Sequence, residues 1–217
     1  MKSFKNLNSI QTENRFLVMR IDAHHHLWKY NPERDSWITD EMKILQNDFL
    51  PPQLKSVLDE NKIDGSVLIQ SEQSLNGNEF MLQLAKENSI IKGIVAWVDF
   101  QSENLEEQLI VYHKIPIIKG FRHILQSEKN RAFMLQPDFL KGIKRLQKYD
   151  YPYDILIFND QLKFIPEFLK QFPNQRFVLD HMAKPDIKNK TISMWKKEMQ
   201  SVSIYPNLYC KVSGMFT

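Results

Sequence analysis

A single cysteine, Cys210, in a chain of 217 residues excludes an intramolecular disulfide and suits a reducing compartment. No apolar run approaches the roughly 20 residues that a membrane span requires. Residues 1–18 (MKSFKNLNSIQTENRFLV) lack the apolar core of a signal peptide and show no hydrophobic period. They read as a loose extension ahead of the fold, and the chain as a cytoplasmic protein. An excess of one charge is missing as well. The 29 basic and 26 acidic residues leave a net +3, interleaved along the chain, so no patch favours nucleic acid. No Gly-x-Gly-x-x-Gly and no phosphate loop follows any apolar run, which disfavours a nucleotide-binding sheet. The composition, 42% hydrophobic and 25% charged, is that of a soluble globular protein.

What the chain does have is regular alternation. Apolar runs of strand length begin at Arg20 and recur at 65–70 (GSVLIQ), 91–98 (IKGIVAWV), 117–123 (IIKGFRH), 153–158 (YDILIF), 176–180 (RFVLD) and 208–212 (LYCKV). Between them, apolar residues three and four apart predict helices around Leu54–Leu58, Phe80–Ala85, Leu105–Tyr112, Phe139–Leu146, Leu162–Leu169 and Met194–Val202. Pro166 must break or restart the fifth of these. Strand and helix in alternation predict parallel βαβ units with right-handed crossovers, the strands buried on both faces. The architecture is then α/β, either a doubly wound sheet or a barrel. Polar residues recur at the C-terminal strand ends: His24 and His26, Gln70, Asp99, Arg122 and His123, Asp180 and His181, and Ser213. Barrel enzymes place their active sites at that end, so a TIM-type (β/α)8 barrel is favoured. Only about seven of its strands are found, and a typical barrel needs about 250 residues. Residues 19–217 are expected to form one barrel domain without the last strand–helix unit.

The sharpest motif is Arg20-Ile21-Asp22-Ala23-His24-His25-His26-Leu27-Trp28. Positions i and i+2 of a strand face the same way, with Cα atoms roughly 6.5–7 Å apart. His24 and His26 are so placed that two imidazoles converge on one divalent ion, whereas His25 points to the other face. A hydrogen-bonded structural pair lining the barrel mouth is the alternative.

With those strand ends located, the chain resembles the amidohydrolase superfamily, specifically its sugar-lactonase branch. The resemblance rests on IDAHHHLW (21–28), WVDF (97–100), KGFRH (119–123), FVLDHMAKP (177–185) and KVSG (211–214), in family order across most of the chain. It implies a metal-dependent hydrolase that opens an aldonolactone with an activated water, in carbohydrate metabolism. Two positions depart from the pattern. Metal-rich members carry a His at the end of strand five, where this chain has Phe158-Asn159. The Asp that members carry at the end of strand eight has no counterpart, which suggests a C-terminally truncated member with impaired activity. The resemblance therefore implies a single, weakly held divalent metal at His24 and His26, zinc being the first choice.

The remaining site expectations combine residue chemistry with that resemblance. His181 serves as general base or substrate holder, the alternative being a core histidine bonded to Asp180. Arg122 serves as oxyanion or carbonyl clamp, the alternative being an ion pair with Asp180 or Asp154. His123 is a further catalytic candidate, although strand alternation sends it opposite to Arg122. Trp28 supplies an apolar wall for a sugar face, or packs the long 29–50 loop. Gln70 is a substrate-binding candidate, and Lys211 ranks below it. The expected partner is a small sugar lactone, with neither nucleic acid nor membrane. The rival readings are another hydrolase or a decarboxylase on the same scaffold, and a non-catalytic fragment of such an enzyme.

Overall fold

A computed structural model describes residues 19–215; the expected extension at 1–18 lies outside the described residues. The strands form where apolar runs stood in the sequence. They are β1 (Ile21–His25), β2 (Gly65–Ile69), β3 (Ile91–Ala96), β4 (Ile118–His123), β5 (Tyr153–Ile155), β6 (Phe177–Leu179) and β7 (Leu208–Cys210). They make one sheet in the order β1-β2-β3-β4-β5-β6-β7, every neighbouring pair parallel. The crossovers carry α1 (Pro51–Glu60), α2 (Leu75–Glu87), α3 (Leu105–His113), α4 (Pro137–Gln147), α5 (Ile165–Lys170) and α6 (Ser193–Val202). Pro166 acts as expected from its missing N–H: a 3-10 turn over Asn159–Phe164 gives way to α5, with the proline in the first turn. Ser74 caps α2 by accepting from Gly77 N at 3.0 Å.

Strand spacing shows that this sheet is curled. Six steps of about 4.8 Å would set the edges of a flat sheet about 29 Å apart. Yet Lys211 Nζ, just past β7, lies 3.3 Å from Nδ1 of His24 on β1. Only a sheet rolled toward closure brings those ends together, as in an incomplete (β/α)8 barrel. The expected barrel class therefore holds. No helix among the described residues is long and apolar enough to cross a membrane.

Outside the sheet, the hydrophobic core is unusually aromatic. Tyr153 meets Phe100, Phe139, Phe168 and Phe177 at ring-centroid distances of 5.2–6.5 Å, and all five are buried. These rings fill the space between β5–β6 and helices α4 and α5, and edge-to-face pairs add to plain area burial. Helix α4 approaches this cluster so closely that only glycine fits at Gly142. A Cβ there would stand 2.1 Å from the Phe100 carbonyl oxygen. We therefore expect Gly142→Ala to destabilise the fold, since an overpacking cost of about 1–3 kcal/mol against backbone outweighs the ~1 kcal/mol of helix propensity alanine adds. Urea denaturation checks this, and a stabilised variant would show that α4 moves freely.

Two details differ from the sequence reading. β3, β5, β6 and β7 are shorter than their apolar runs; beyond the ladder, Leu156 lines a cavity and Asp180 forms a buried ion pair with Arg122. Cys210, in a run expected to be buried on both faces, is exposed, since β7 forms an edge of the described sheet.

Candidate active site

The C-terminal end of the barrel gathers charge from five strands. The register of β1 shifts between Asp22 and His25, and His24 N bonds Asp22 Oδ1 at 3.0 Å. His26 Nδ1–H donates to the Ile69 carbonyl at 2.9 Å. A carbonyl only accepts, so Nδ1 carries the proton and the Nε2 lone pair is free. That lone pair faces His24 Nε2 at 3.2 Å. Burial, with Arg122 nearby, holds His26 neutral, its pKa well below the ordinary value. His25 turns away from this pair, and burial lowers its pKa to about 4.

Arg122 on β4 lies at the centre. Its Nη1 donates to Asp180 Oδ2 at 2.9 Å and stands 3.5 Å from His24 Nε2, while Nη2 donates to the Gln70 carbonyl. Both members of the Arg122–Asp180 pair are buried, at 2% and 0% exposure. The other oxygen of Asp180 faces Lys211 Nζ at 3.1 Å and His24 Nδ1 at 3.4 Å. Burial disfavours the Asp180 charge, but His24, Arg122 and Lys211 together hold its carboxyl below the usual range, so it is ionised. Lys211 also ion-pairs with Asp154 on β5. There burial and the Asp180 charge dominate, and Asp154 is pushed up to about 6. Arg122 Nε is buried with no hydrogen-bond partner among the described residues.

After β6 the backbone enters an uncommon conformation. His181, Met182, Ala183 and Lys184 all have φ between 48° and 56°. For side-chain-bearing residues the left-handed region costs roughly 1–2 kcal/mol each. The turn is held by Trp195 Nε1, which donates to the Met182 carbonyl at 2.7 Å, and by Lys184 N bonding His181 O at 2.8 Å. His181 Nδ1 meets Ser213 Oγ at 2.7 Å. Gly214, at φ +70°, permits this approach, because a Cβ there would lie 2.9 Å from that of His181. Burial first, and then His24, lower the His181 pKa to about 4, so its imidazole is neutral at pH 7.

Above these groups lies a cavity of about 410 Å³. Its polar floor is His26, Arg122, His181 and Lys184, and its walls include Trp28, Trp37, Ile38, Leu45, Ile124 and Leu156. The 29–50 segment supplies part of that wall. It is fastened by the paired backbone bonds between Trp28 and Phe49 and by Arg34, which bridges Asp35 and Glu72. Trp28 thus both lines the cavity and packs the loop, its ring 4.5 Å from that of Phe49. Gln70 lies behind Arg122 and braces it, its Nε2 donating to the Arg122 carbonyl at 3.3 Å. His123 is not brought into the cluster. It faces the helices, bonded to Glu128 at 2.7 Å and stacked on Phe133 with ring centroids 5.3 Å apart. Alternation along β4 is the physical reason.

The donor set fits one divalent ion. Bonds of 2.0–2.1 Å in tetrahedral geometry place two ligand nitrogens about 3.3 Å apart, close to the 3.2 Å between His24 Nε2 and His26 Nε2. The Ile69 carbonyl already fixes the His26 tautomer that leaves Nε2 to ligate. Ligand atoms of His24, Asp180 and His181 also lie within 4.8 Å of one another.

A family model described as amidohydrolase matches residues 21–217. The chain belongs to the amidohydrolase family. Among similar proteins, an L-fucono-1,5-lactonase of Burkholderia multivorans is 32% identical over 206 residues, covering 92% of this chain and 69% of that protein. An L-rhamnono-gamma-lactonase of Scheffersomyces stipitis is 30% identical over 115 residues, covering 46% of this chain and 34% of that one. A crystal structure of a Burkholderia multivorans amidohydrolase with bound zinc superposes with TM-score 0.86 at 31% identity, covering 91% of this chain and 70% of that one.

Within this amidohydrolase barrel, sequence reasoning underrated three residues. Asp154 and Lys211 were legible as lone charges inside the apolar runs YDILIF and LYCKV. A buried charge demands a partner, and these two partner each other. Lys184 gave no such signal. Its place at the cavity follows from the left-handed turn, which no glycine announces.

Proposed function

We propose that this amidohydrolase opens a sugar-derived lactone by directing water onto the lactone carbonyl. The observation that carries the reading is Arg122, which lines the floor of a cavity with aromatic walls and keeps a buried Nε–H without a partner among the described residues. An unsatisfied buried donor next to a neutral imidazole is what a developing oxyanion requires. The lactonase names of the similar proteins support a sugar substrate. Fucono- and rhamnono-lactones are 6-deoxy sugars, and their methyl group suits a wall of Trp28, Trp37 and Ile38.

In the tautomer where His181 Nδ1–H donates to Ser213, Nε2 takes a proton from the attacking water. Arg122 receives the carbonyl oxygen as it becomes an oxyanion. The ring C–O bond then breaks, and the departing alkoxide takes the proton from His181. A hydroxy-carboxylate results, with net release of one proton. Asp180 holds Arg122 and His24 in place and stays ionised throughout. Of the expected site residues, His24 and His26 would hold a divalent metal, zinc by donor type. A bound ion polarises the carbonyl and eases deprotonation of water.

The test is acid release in a pH-stat from a panel of aldonolactones, with and without chelator. Turnover of 6-deoxy lactones is expected, and His181→Asn should lower it by about 10²–10⁴-fold. Failure on every lactone would overturn the reading.

A further inference from the structure

The charges at the cavity floor do not balance. Asp154 and Asp180 are balanced by Arg122 and Lys211, and Lys184 adds a further cation at the cavity floor. Asp35, the one carboxylate among the residues lining the cavity, is matched by Arg34. The excess charge resides on Lys184. Among the described residues no carboxylate ion-pairs with it, and its Nζ lies 5.1 Å from the centroid of the Phe158 ring. It is half-buried, and burial together with Arg122 disfavours its charge. The strained turn nevertheless keeps it there, braced through Trp195 and followed by Pro185. A cation held at such a cost, without a carboxylate partner, is placed for an anion that arrives from outside.

We propose that Lys184 receives a carboxylate, pairing with the open-chain polyhydroxy acid that ring opening leaves in the cavity. This deepens the lactonase reading and rests on it. A neutral lactone offers Lys184 no full charge; the acid does. The product acid therefore binds through Lys184 and competes with the lactone, and its release is slowed by the same contact. Hydroxyl groups alone do not bring this about, so the corresponding alditol binds far more weakly than the acid.

Calorimetric titration of the protein with L-fuconate and L-rhamnonate, with L-fucitol as the uncharged control, tests this directly. Lys184→Met and Lys184→Arg are titrated beside the parent, and melting temperatures confirm that each is folded. The acids are expected to bind the parent and to lose about 10- to 100-fold in Lys184→Met, the span of one charge-assisted hydrogen bond. Lys184→Arg should retain most of that affinity. In lactone assays, inhibition by added acid should weaken in Lys184→Met more than KM for the lactone changes. Equal acid binding by parent and Lys184→Met, absence of acid binding to the parent, or equal binding of acid and alditol would each overturn the proposal. Acid binding that depends on Lys184 in a protein that opens no lactone would sink the lactonase reading and leave the carboxylate site standing.

Discussion

Arg122→Met is expected to abolish measurable lactone opening and to destabilise the fold at the same time. The side chain has two separable roles. As an oxyanion donor it contributes about 10²–10³-fold in rate, and more where the same group also orients substrate. As the partner of Asp180 it neutralises a carboxylate that is 0% exposed. Removing one member of a buried pair leaves the other charged and dry, at a cost of about 3–5 kcal/mol. Guanidinium denaturation and a pH-stat assay on the same preparations separate the roles. The double variant Arg122→Met/Asp180→Asn should recover much of the lost stability and none of the activity. Arg122→Lys should restore part of the stability, since a point charge returns. The planar fork that reaches both Asp180 and the Gln70 carbonyl does not return with it. Activity in the double variant close to the parent would show that Arg122 is structural only.

The barrel was legible in the sequence because parallel strands buried on both faces must be apolar along their length. Runs such as GSVLIQ and IKGIVAWV therefore stand out against helical periodicity. His24, Arg122 and His181 were legible because each ends a strand or lies just past one. There the alternation decides which side chains look inward, and the same rule put His123 on the opposite face. The pairing of Asp154 with Lys211 spans the chain from β5 to β7, and local pattern carries no information about partners so distant. The left-handed turn was hidden for a different reason. Its four residues carry side chains that individually disfavour that conformation. It persists through tertiary contacts, from Trp195 and Ser213, that sequence periodicity does not encode. The hydrogen bond from Trp195 was equally invisible, since that residue counted only as one apolar position of a helix.

Lys211→Met should make stability fall steeply with rising pH. In the parent, Asp154 is already pushed up to about 6 by burial and by the Asp180 charge, against an ordinary value of 3.8, and Lys211 opposes that rise. Without the ammonium the folded-state pKa of Asp154 moves higher still. A carboxyl whose folded pKa is raised binds its proton more tightly folded than unfolded. Its contribution is fully present below the unfolded pKa and is lost as pH climbs through the folded pKa. Asp180 works in the same direction: its pKa is held down partly by Lys211, so it stabilises at neutral pH less once the lysine is gone. The variant should therefore come closest to the parent near pH 4 and diverge most at pH 8. There an uncompensated buried carboxylate costs about 3–5 kcal/mol. Urea midpoints across that range check the slope. Adding Asp154→Asn should flatten it and return a large coupling energy in the double-mutant cycle. A Lys211→Met profile parallel to that of the parent would mean that Asp154 finds another cation or water. Lys211 would then be a bystander at the edge of the sheet, with no part in fastening β7 to β1.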